Sequence, residues 1–96
     1  MIPTVELLKK ALRKCAEAHN VPSEDWSEDG QFGIKSESVP VVADVRSICT
    51  AFCGNASVVE TGWGYTNVYL DEAEYNFLPE ADEVTLRMAL PAGTEL

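Results

Sequence analysis

Three cysteines and a single histidine are the residues of this chain best placed to do chemistry. Cys15 and His19 stand four residues apart, as do Cys49 and Cys53. On an α-helix, side chains four apart share a face, which is how two ligands reach one metal. Two such pairs brought together would supply three thiolates and an imidazole, a set that zinc accepts. That requires two helices side by side with those ends together. The plainer alternative is packing, since a small buried thiol and a hydrogen-bonded histidine are ordinary core residues. Zinc-binding cysteines are also more often spaced as Cys-x2-Cys knuckles. Cys49 or Cys53 with His19 would pair a nucleophile with a base, but nothing in the sequence orients or activates them. A reading as a small enzyme or enzyme subunit therefore has the least to rest on.

A second constellation imitates a calcium loop. Asp25, Ser27 and Asp29 fall at the first, third and fifth positions of an EF-hand loop, and Gly30 at the sixth. The match fails at the twelfth position, where Ser36 replaces the bidentate glutamate and Glu37 comes one residue late. Pro22 also keeps a preceding helix from running into the loop. An acidic Asp-Gly turn accounts for the segment more simply.

A third constellation is a surface for binding. Trp26 lies within Glu24-Asp25-Trp26-Ser27-Glu28-Asp29, and Trp63 lies between two glycines. Tyr65 and Tyr69 share one face of a strand, opposite the face of Thr66, Val68 and Leu70. Trp and Tyr are favoured interface anchors, and carboxylates around them suit a basic partner. Acid concentrates at 24–29, 71–74 and 80–83. The partner-binding candidates are Glu24, Asp25, Trp26, Glu28, Asp29, Trp63, Tyr65, Asp71, Glu72 and Glu74. The competing account has Trp26 folded over a small core, the tyrosines covering a sheet, and the acids forming a solvated coat.

Periodicity indicates the elements that must position these groups. Residues 4–20 read as a helix with Val5, Leu8, Leu12, Cys15 and His19 on one stripe and Lys9, Lys10, Arg13 and Lys14 opposite. Residues 22–30 are turn-forming, and Phe32 and Ile34 begin a short strand. Residues 38–53 read as a second helix, with Pro40 in its first turn, Val41, Val45, Ile48 and Phe52 buried, and Gly54 as its stop. Residues 56–61 and 65–70 read as strands joined around Gly62-Trp63-Gly64. Residues 83–90 alternate Val84, Leu86, Met88 and Leu90 with Thr85, Arg87 and Ala89, which predicts another strand. The expected fold is one α+β domain over 1–96, of order α-β-α-β-β-β, with both helices on one face of a mainly antiparallel sheet of three to four strands.

Charge and composition bound the function. The chain has 96 residues and a net charge of −9. Residues 1–20 carry four cations against two carboxylates, while residues 21–96 carry three against fourteen. Such a field repels phosphate and disfavours direct nucleic-acid binding. No stretch is apolar and long enough to span a membrane, no leader peptide is evident, and unpaired cysteines fit a reducing cytoplasm. No metal or other cofactor is needed to explain the residues. The expected role is that of a stoichiometric inhibitor that covers the nucleic-acid-binding or nuclease surface of a basic protein, with the carboxylates imitating nucleic acid. Size, acidity and motif poverty match the profile of phage anti-defence (anti-CRISPR-like) and toxin-immunity proteins, although no motif is shared residue by residue. The alternatives are a zinc- or calcium-stabilised binding domain and a small enzyme subunit. The basic arc of the first helix leaves a homodimer through that helix open.

Overall fold

The computed structural model describes residues 4–27, 32–54, 59–69 and 77–94. Among these residues are three α-helices, α1 (Thr4–Ala18), α2 (Val39–Cys53) and α3 (Glu83–Ala89). Four strands, β1 (Trp26–Ser27), β2 (Phe32–Ile34), β3 (Val59–Gly62) and β4 (Tyr65–Val68), form one antiparallel sheet in the order β1-β2-β4-β3. The fold is α+β, and α1 and α2 pack on one face of the sheet.

The helices form where their apolar stripes find cover. Leu7, Leu8, Ala11, Leu12, Cys15 and Ala16 of α1 are buried against Val41, Val45, Ile48, Cys49, Phe52 and Cys53 of α2. The β-branched residues of α2 lower its intrinsic propensity, but burial of its stripe outweighs a penalty of a few tenths of a kcal/mol per residue, on the order expected. Pro40 sits in its first turn, where a missing N–H costs nothing. Gly54 ends it with a positive φ of 66°, donating its N–H to the Thr50 carbonyl.

Helix α1 ends in a Schellman turn. The Val21 N–H reaches the Ala16 carbonyl at 2.9 Å and the Asn20 N–H reaches the Glu17 carbonyl at 3.0 Å. Asn20 takes the left-handed conformation this motif requires, with φ 59°, and Val21 packs on the core. His19 is thereby fixed as the last residue of the helical path.

The sheet's two faces follow from its register. Trp26, Ile34 and Thr66 align across β1, β2 and β4, and Phe32 opposes Val68. These residues face the helices, and Phe32, Ile34, Thr66 and Val68 are buried. Thr66 satisfies its hydroxyl on the Ser36 carbonyl at 2.7 Å. Ser27, Gly33, Asn67 and Glu60 align in the same way on the opposite, helix-free face.

Two expectations are corrected. Residues 83–90 are a helix, not a strand. Successive even-numbered positions turn about 200° around a helix, so the alternating pattern divides into two stripes. Leu86 is buried, with Ala89 and Leu90 packed on the core, whereas Val84 and Met88 are exposed. The Asp82 carboxylate caps the start, accepting from the N–H groups of Val84 and Thr85 at 3.0 and 3.2 Å. Helix α3 then lies across both α1 and α2. The second correction is β1, two residues of strand inside the acidic segment read as turn.

Candidate functional site

The β3–β4 hairpin turns on two residues, Trp63 and Gly64, between the paired Gly62 and Tyr65. Both have positive φ, 57° and 80°, the signature of a type I′ turn, which matches the sheet's twist and favours Asn-Gly. Tryptophan is a poor choice for the first of these positions. It is nevertheless there, and its side chain is 100% exposed. The Gly64 N–H donates to the Glu37 carboxylate at 3.3 Å, tying the tip to the start of α2.

Beside this hairpin the helix-free face forms an open groove of about 390 Å³ lined by Glu24, Asp25, Trp26, Ser27, Gly33, Lys35, Tyr65 and Asn67. Gly33 forms its floor. A β-carbon there would lie 2.9 Å from Asn67 Oδ1, so a larger residue would displace the Asn67 side chain across the groove floor. Tyr65, 44% exposed, stands on one wall. Glu24 and Asp25 come from a single 3-10 turn, Ser23–Asp25, pinned by the Lys35 N–H donating to the Asp25 carbonyl at 2.7 Å.

The structure thus brings Glu24, Asp25, Trp26 and Tyr65 to one groove and sets Trp63 at the tip of the adjoining hairpin. Trp26 is a divided case. Its register turns it toward the helices, and it stacks on Phe32 with ring centroids 5.6 Å apart while still lining the groove. Glu28, Asp29, Asp71, Glu72 and Glu74 lie outside the described residues, as do Asp29-Gly30 of the calcium-like loop. The part of that loop that is described does not leave a helix: Trp26 and Ser27 pair with β2. Gly33, Lys35 and Asn67 were not among the candidates, and Ser27 was weighed only as a calcium ligand, because only strand pairing assembles these four into one groove.

The cysteines and histidine sit on the other side of the sheet. Cys15, Cys49 and Cys53 are all buried. Burial pushes the Cys15 thiol up to about 12, with help from the Asp44 carboxylate. Burial likewise pushes Cys49 up to about 12, aided by Cys53 and Cys15 and opposed by Arg46. Burial raises Cys53 as well. Near neutral pH these are uncharged thiols, and the thiolate is the nucleophile. The residues gathered around Cys15 are His19 and Asp44, with one ligand atom from each lying within 4.8 Å of the others. The set weighed as an alternative, Cys15, His19, Cys49 and Cys53, is not what converges. Asp44 takes the place of the second cysteine pair, accepting or sharing a hydrogen bond with His19 Nε2 at 2.6 Å.

The basic arc of α1 is partly neutralised within the helix. Lys9 pairs with Glu6 at 3.6 Å and Lys14 with Glu17 at 3.7 Å. Among the described residues no helix is long and apolar enough to cross a membrane. Comparison with protein-family models, curated proteins and solved structures yields no match to this chain.

Proposed function

We propose that this protein is a small acidic interaction domain that acts as a stoichiometric inhibitor, covering a basic nucleic-acid-binding or nuclease surface on another protein. One observation carries the reading. Trp63 is wholly exposed at a turn position where tryptophan is conformationally unfavourable. Folding gains nothing from that choice, and exposed aromatic side chains at strained positions are characteristic of binding sites. The groove beside it supplies Tyr65 as a second aromatic and Glu24 and Asp25 as carboxylates. The net charge of −9 provides the long-range field that would speed encounter with a cationic surface.

The turn itself supplies the test. Trp63→Asn creates the Asn-Gly pair that a type I′ turn prefers, so the fold keeps or gains stability while the aromatic is lost. Proteins captured by the wild-type chain at low salt are purified and assayed for nucleic-acid binding or cleavage. The expected result is inhibition saturating at one equivalent, relieved by high salt and abolished by Trp63→Asn despite equal or higher melting temperature. Inhibition that survives Trp63→Asn unchanged, or capture indifferent to ionic strength, would refute the reading.

A further inference from the structure

We propose that Cys15, His19 and Asp44 form a zinc site that fastens the end of α1 to α2. The three side chains come from two elements whose relative position is fixed. Cys15 and His19 lie one helical turn apart on α1, and the Schellman turn at Asn20 holds His19 in place. Asp44 comes from the second turn of α2, one residue before the buried Val45. Their ligand atoms lie within 4.8 Å of one another. Tetrahedral zinc with bonds of about 2.0–2.3 Å holds its ligands roughly 3.3–3.8 Å apart, so adjustments on the order of an ångström suffice. The His19–Asp44 contact at 2.6 Å would open to admit the ion.

The donor set selects the ion. Sulfur, imidazole nitrogen and one carboxylate suit zinc and exclude the all-oxygen preference of magnesium and calcium. A thiolate and a carboxylate balance the two positive charges, and the thiol proton leaves to solvent as the Zn–S bond forms. Access is one-sided. Cys15 is fully buried, while the His19 and Asp44 side chains are 21% and 35% exposed. The ion therefore enters from the histidine–carboxylate side, and its fourth position faces water there. The site lies in the helix layer, on the far side of the sheet from the groove, so it stands or falls independently of the inhibitor reading.

The test uses the whole chain, reduced and stripped of metal with a chelator. Cobalt(II) is titrated first as a spectroscopic probe, then displaced with zinc. The expected result is one equivalent bound, a thiolate-to-cobalt charge-transfer band with the visible absorption of a four-coordinate ion, and a higher melting temperature with zinc. His19→Gln and Asp44→Asn, at partly exposed positions, should fold and weaken binding by at least about 100-fold, beyond the usual loss for a mere outer-shell partner. Cys15→Ala should remove the charge-transfer band, and Cys53→Ser should bind as wild type. The proposal is overturned if the folded wild-type chain shows no such band. It is equally overturned if the band persists in Cys15→Ala, or if binding follows Cys53 and ignores His19 and Asp44.

Discussion

Cys15 and Cys49 determine how the molecule responds to alkali. Both are buried, and both ionise near 12 in the folded protein against an ordinary value of 9.0. Well below pH 9 both folded and unfolded chains keep these thiol protons, and the thiols' contribution to stability is fully present. Above pH 9 the unfolded chain releases thiol protons that the folded chain retains. Stability then falls as pH rises, by about 1.4 kcal/mol per pH unit for each thiol, until the folded thiols ionise as well. Denaturant unfolding of the metal-free protein across that window should show the decline, and Cys49→Ala should make it shallower. A wild-type profile no steeper than that of the variant would contradict the burial account. Single residues also mark the limit of sequence reading. Trp63 was conspicuous because glycines flank it. Asp44 was not, because an acid on the polar side of an amphipathic helix looks solvated, and its neighbour His19 is set by how two helices pack.

Helix α3 shows the same limit for whole elements. Four apolar residues at alternate positions satisfy a strand, and over seven residues they equally satisfy a helix with one stripe in and one out. The deciding feature is Asp82, whose carboxylate holds two otherwise unpaired N–H groups. Asp82→Ala should cost about 1 kcal/mol, while Asp82→Asn, which can still accept, should cost far less. Equal losses in the two variants, measured by urea unfolding, would mean that the cap is not what holds the helix. Elements with longer patterns were legible. The burial of Val41, Val45, Ile48 and Phe52, the stop at Gly54 and the hairpin around Trp63 all follow from spacing and glycine placement. Strand β1 was not legible, because two residues have no periodicity; Trp26–Ser27 is a strand only because β2 lies beside it.

At the scale of the molecule, the charge asymmetry has acquired a direction. Part of the acid, Glu24 and Asp25, borders the helix-free face, while the cations of α1 belong to the helix layer and are partly matched by Glu6 and Glu17. The helix-free face thus carries the acidic groove, and the helix layer carries the core and most of the paired cations. The sheet order β1-β2-β4-β3 carries a further consequence, for the order of assembly. Strands β2 and β3 both run antiparallel to β4 and flank it, so one of the two inner strands is the last in sequence among the described residues. Until residues 65–68 are available, β2 has only the two-residue β1 to pair with, and β3 has nothing. A chain ending after Gly62 should therefore lack slowly exchanging sheet amides and a cooperative melting transition, although it retains both long helices' sequences. During synthesis, α1 and α2 would wait on each other without a sheet to cover, and folding would close in one late step, like an arch receiving its keystone.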